Sequence, residues 1–122
     1  MPHSTDIRIV LTTFPNEETA AGVIRDLLRG HLITCGTMLP GCRSIYAWNG
    51  QMQDSDEVQT VLKTTLSCMP ELERQLVETH PYDVPEFIVL QPESTSAAYA
   101  NWIFGFCKSG SLPSNEAHEH IS

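Results

Sequence analysis

Basic residues are scarce in this chain: seven Lys and Arg stand against fifteen Asp and Glu, a formal net charge of −8 over 122 residues. A surface of that sign repels phosphate backbones and anionic headgroups, so no nucleic acid and no membrane surface is expected as a partner. Long apolar runs are missing as well. No segment approaches the roughly 20 apolar residues that a membrane helix requires. The opening Met1-Pro2-His3-Ser4-Thr5-Asp6 has neither a basic stretch nor an apolar one, so no secretory signal is read there and a cytoplasmic location is expected. The four cysteines, Cys35, Cys42, Cys68 and Cys107, include no C-x-x-C pair, which removes zinc-knuckle and thioredoxin-like spacings and leaves free buried thiols as the expectation. No G-x-S-x-G, Walker loop, H-E-x-x-H or Cys/His nucleophile constellation occurs, so no enzymatic activity is expected.

What is present is a regular succession of strand and helix patterns. Ile7 to Phe14 is rich in β-branched residues and stops at Pro15-Asn16, the mark of a strand meeting a turn. Asn16 can cap a helix whose first turn carries Glu17 and Glu18, and Ala20, Ile24, Leu27 and Leu28 recur at helical spacing up to Gly30. Leu32 to Trp48 reads as one long strand kinked at Pro40-Gly41, and Asn49-Gly50 suits a type I′ turn into a second strand over Glu57 to Thr65. Pro70 fits a first helical turn, Met69, Leu72, Leu76 and Val77 form an apolar stripe, and His80-Pro81 ends the helix. Glu86 to Leu90 reads as a central strand covered on at least one face. Ser94 or Ser96 caps a last helix with Tyr99, Trp102, Ile103 and Phe106 on its docking face. Residues 109–122 are polar and aperiodic, which predicts one folded domain over 1–108 and a flexible tail over 109–122.

The order β-α-β-β-α-β followed by a helix is that of an α+β, ferredoxin-like sandwich, with helices over one face of an antiparallel sheet. The other face and the long hairpin are poorly buried in a single subunit, which predicts self-association.

Three motifs then carry a resemblance. Pro40-Gly41-Cys42-Arg43-Ser44-Ile45-Tyr46-Ala47-Trp48-Asn49-Gly50, Leu62-Lys63-Thr64-Thr65 and His80-Pro81-Tyr82-Asp83-Val84-Pro85-Glu86 occur in that order, and together they resemble the CutA family over about residues 7 to 106. The resemblance implies a PII-like homotrimer built by pairing hairpins across subunits, and an association with copper and other divalent cations. A trimeric metal tolerance protein is therefore expected. The alternative is a PII-like signalling trimer that binds a small ligand between subunits.

Glu86 is the first candidate metal donor, because a carboxylate after Pro85 has a fixed approach direction and suits divalent cations. The cysteine and histidine that some family members offer to copper align with Thr12 and Thr79, whose hydroxyls are poor ligands for soft or borderline metals. His80 is the imidazole that could take their place, so the expected site is Glu86 with His80, holding Cu(II) or another divalent cation weakly, with no cofactor required. Tyr46, Trp48, Lys63 and Tyr82 are candidates for an aromatic cleft between subunits, where one ammonium could meet a small anionic ligand. His118 and His120 in the tail are spaced like a weak chelating pair.

Overall fold

A computed structural model of the chain describes residues 6–108. The tail expected over 109–122 lies outside the described residues. Four strands and three helices follow in the order β1 (Ile7–Phe14), α1 (Glu17–Arg29), β2 (Cys35–Trp48), β3 (Gln51–Thr65), a 3₁₀ turn (Leu66–Cys68), α2 (Met69–Thr79), β4 (Ile88–Leu90) and α3 (Ala97–Phe106). The sheet order is β2-β3-β1-β4 with every neighbouring pair antiparallel, which is the ferredoxin-like arrangement.

Alternation along the strands divides the sheet into two faces. Val10, Thr12 and Phe14 of β1 and Val58, Thr60, Leu62 and Thr64 of β3 are buried beneath the helices. Their neighbours Ile9, Leu11, Gln59, Val61 and Lys63 turn to the other face and are only half-buried. The core is closed by Ala20, Ile24 and Leu27 of α1, Leu72 and Leu76 of α2, and Ala100 and Ile103 of α3. Burying a Leu or Ile side chain contributes about 1.5–3 kcal/mol, so this shared cluster is the main source of stability.

Local signals place the elements. Asn16 Oδ1 accepts the Thr19 amide at 2.8 Å and so caps α1, and the Ser96 hydroxyl accepts the Tyr99 amide at 3.3 Å and caps α3. Asn49 and Gly50 hold φ of 51° and 74°, as the type I′ turn demands. At Pro40-Gly41 the pairing register of β2 slips between Leu39 and Cys42, and Gly41 takes φ 76°: the kink is a bulge.

The structure corrects three expectations. β4 is an edge strand, and Ile88, Val89 and Leu90 are 47%, 40% and 44% exposed, because its outer neighbour and one face are open. Of the expected α3 face, Ile103 is buried and Phe106 is half-buried and stacked on His31 with centroids 4.4 Å apart, but Tyr99 and Trp102 are exposed and pack on each other with centroids 5.6 Å apart, and Ala100 and Cys107 take their place against the core. Every residue of that helix is uncharged, so apolarity alone could not single out its buried side. Val77 is exposed, and α2 docks through Leu72 and Leu76.

Candidate functional site

The loop from α2 to β4 passes over the end of β1 and is fixed there by His80. Its ring is buried, stacked on Phe14 at a centroid separation of 4.5 Å and tilted against Tyr82 at 5.0 Å. The Tyr82 amide can only donate, so Nδ1 is its acceptor at 3.1 Å and the ring proton sits on Nε2. Nε2–H donates to the Thr13 carbonyl oxygen at 2.8 Å, with the Thr12 hydroxyl 3.3 Å away. Burial pushes the imidazole below its usual pKa, against the opposing pull of the Thr13 carbonyl and the Glu57 charge.

Two polar pairs then tie the loop to β3. Tyr82 donates its hydroxyl to Glu57 Oε2 at 2.6 Å, and burial first and Glu57 second push its phenol well above the usual range. Gln59, one position along the same face, donates from Nε2 to Glu86 Oε2 at 2.9 Å and to the Thr12 and Thr60 carbonyl oxygens at 3.1 Å. Gln59 therefore aims the Glu86 carboxylate, and Glu57 stands beside it on β3. The alternation of β3 shows Glu57 and Gln59 sharing a face, but only the returning loop brings Tyr82 and Glu86 to them.

Among the expected site residues, Glu86 and His80 flank one loop, but they present themselves differently. One Glu86 oxygen is engaged by Gln59, whereas both His80 nitrogens are already hydrogen-bonded. Thr12 adjoins His80, while the Thr79 hydroxyl turns back to the Gln75 carbonyl oxygen at 2.9 Å. Among the described residues no three His, Cys, Asp or Glu side chains gather as a metal-binding group. Within the single chain, these residues do not form a closed seat for a resident copper ion.

The expected cleft residues are also distributed. Tyr46 reaches Ser55 at 3.3 Å, and Tyr82 reaches Glu57, the next position of β3 on the same face. Trp48 is opposite Gln51 near the hairpin tip, whereas Lys63 is opposite Cys35 and Ile9. Tyr46 is opposite Gln53, so Lys63 lies ten residues further along β3, about 33 Å away at the usual strand rise. Tyr46 and Tyr82 thus reach neighbouring positions of β3; Lys63 does not join them.

Comparison with known proteins agrees with this architecture. The chain is 36% identical over 98 residues to the divalent-cation tolerance protein CutA of Pectobacterium atrosepticum, an alignment covering 80% of this chain and 89% of that protein. It is 39% identical over 95 residues to the CutA of Citrobacter koseri, covering 78% and 83% respectively. Among solved structures, CutA1 of Pyrococcus horikoshii superimposes with a TM-score of 0.80 at 34% identity, covering 84% of this chain and 99% of that one. CutA of Synechococcus elongatus gives a TM-score of 0.83 at 31% identity, covering 88% and 95%. The family model described as CutA1 divalent ion tolerance protein matches residues 8–105, nearly the whole described fold, and the chain belongs to that family.

Proposed function

We propose that this protein is a non-catalytic, self-associating divalent-cation binder that serves metal tolerance as a homotrimer. The observation that carries the reading is the family match over residues 8–105. Self-association is supported by the sheet face opposite the helices, where Leu39, Ile88 and Leu90 stand 44–47% exposed beside half-buried Ile9, Leu11 and Val61. An apolar face of that kind is covered at low cost by a second sheet.

For the cation, the support is narrower. Glu86 supplies an oriented carboxylate, and carboxylate oxygens favour hard divalent ions with exchangeable affinity over tightly held copper. His80 becomes a donor only if Nδ1 releases the Tyr82 amide, so its part in binding is conditional on a loop rearrangement.

Calorimetric titration of the full-length His118→Ala/His120→Ala protein with Cu(II) and Zn(II), beside the same protein carrying Glu86→Ala, tests the site. Weak binding lost with Glu86→Ala is the expected result. Binding unaffected by that change removes Glu86 from the reading. Sedimentation equilibrium tests the assembly, and a monomer at micromolar concentration would sink the trimer.

A further inference from the structure

The sheet face turned away from the helices carries charge at its two ends. Register puts Lys63 of β3 opposite Ile9 on β1 and Cys35 on β2, with Leu90 of β4 opposite Ile9 in turn. Lys63 is half-buried, and among the described residues its ammonium makes no hydrogen bond or ion pair. Glu57 lies on the same face six residues along the strand, about 20 Å away. Its Oε2 accepts the Tyr82 hydroxyl at 2.6 Å, and it too has no cationic partner among the described residues. Glu86 reaches that same end from the α2–β4 loop, held by Gln59. Asp54 and Asp56 alternate to the opposite face with Arg43, which is paired with Asp54 at 2.6 Å. Along the odd-numbered positions of β3 and the residues opposite them, no described residue other than Lys63 and Glu57 is charged.

Between these charges the face is apolar. Ile9, Leu11 and Val61 are half-buried, and Leu39, Ile88 and Leu90 are 44–47% exposed. A sheet that covers those side chains also strips water from Lys63 and Glu57, and a charge buried without its opposite carries a large desolvation penalty. The two cannot satisfy each other within one chain, because a gap of about 20 Å is far beyond a side chain's reach. A purely apolar partner leaves both bare. A second copy of this chain brings a carboxylate and an ammonium at the same spacing on the same apolar surface, so shape and charge are met together.

We propose that Lys63 of one copy pairs with Glu57 of a second copy across the covered sheet face, and that this ion pair sets the register in which the copies dock. The inference rests on the self-association proposed above and names the contact that directs it. Tyr82 holds Oε2 of Glu57 and leaves Oε1 to receive the incoming ammonium. In a closed ring each subunit gives Lys63 to one neighbour and Glu57 to the other, so every charge on the face is matched once. A slipped or reversed docking sets Lys63 against apolar side chains or a second ammonium and is disfavoured. Because Tyr82 and Glu86 belong to one loop, docking at Glu57 also braces the segment that carries the candidate cation donor.

Charge reversal tests the pair. Sedimentation equilibrium of the full-length protein, Lys63→Glu, Glu57→Lys and the double swap gives the dissociation constant of each, with far-UV circular dichroism to confirm the fold. Each single reversal sets like charges together and should weaken assembly by about tenfold or more, and the double swap should restore most of that loss. Should a reversed protein lose the native circular dichroism signal, Lys63→Gln and Glu57→Gln are read in its place, and the second change should then cost less than about twofold once the first is made. Native-like assembly of both single variants overturns the pair, as does a folded double swap no tighter than the singles. A native protein that is monomeric at micromolar concentration overturns the self-association itself and the pair with it, whereas native assembly indifferent to Lys63 overturns the pair alone.

Discussion

Gly36 of β2 lies under α1 so closely that a methyl group has no room. A Cβ built there would sit 2.7, 2.9 and 3.0 Å from Cγ2, Cγ1 and Cδ1 of Ile24. Ordinary carbon contacts begin near 3.5 Å, so α1 or β2 must give way by about 0.8 Å at the tightest point. Ile24 belongs to the core cluster, and displacing it disturbs its neighbours. Overpacking of this kind costs about 1–3 kcal/mol, while Gly→Ala on ordinary backbone recovers about 0.4–1 kcal/mol from the unfolded chain. Gly36→Ala should therefore destabilise by about 1–2 kcal/mol. Ile24→Ala alone should cost about 2–5 kcal/mol through the cavity it leaves. It also removes all three clashing atoms, so adding Gly36→Ala in that background should be neutral or slightly stabilising. The coupling energy should exceed about 1 kcal/mol in the favourable direction. Urea unfolding followed by circular dichroism, at one protomer concentration because association shifts apparent stability, measures all four proteins. Equal cost of Gly36→Ala in both backgrounds would refute the steric argument.

Other consequences are open to simpler measurements. Tyr82→Phe removes the donor to Glu57 and should cost about 1–2 kcal/mol in the same urea assay, with Glu57→Gln added to the Tyr82→Phe protein costing little more. His80 has a lowered pKa in the fold, so the unfolded chain binds the proton first as pH falls. Its contribution is present above about pH 6.5 and is lost as pH drops towards the folded value. Melting temperature should thus fall between about pH 7.5 and 5.5, and more steeply for the native protein than for His80→Gln; equal slopes would remove His80 from the account. Gly50→Ala places a side chain at φ 74° in the hairpin turn and should lower stability by about 1 kcal/mol with no change in the helical signal. Asn16→Ala removes the cap on the Thr19 amide and should cost about 0.5–2 kcal/mol; a change below the resolution of the denaturation curve would show that another group satisfies that amide.

The sequence by itself determined the order of elements, because each is marked by local chemistry. Asn16 caps α1, Asn49-Gly50 turns the hairpin, Pro40-Gly41 makes the bulge and His80-Pro81 ends α2, all within a few residues of the backbone they shape. Alternation along β3 likewise fixed which residues share a face, since strand side chains repeat every second position. Only the tertiary structure decided which partners meet. α3 carries apolar residues all round, so packing against the core selected Ala100, Ile103 and Cys107 over Tyr99 and Trp102. The same holds at the candidate sites. Gln59 with Glu86, Tyr82 with Glu57, and Thr34 with Cys107 are pairs separated widely along the chain. No local pattern encodes such encounters; they follow from chain closure around the sheet, which brings the α2–β4 loop and the end of α3 back over strands laid down much earlier.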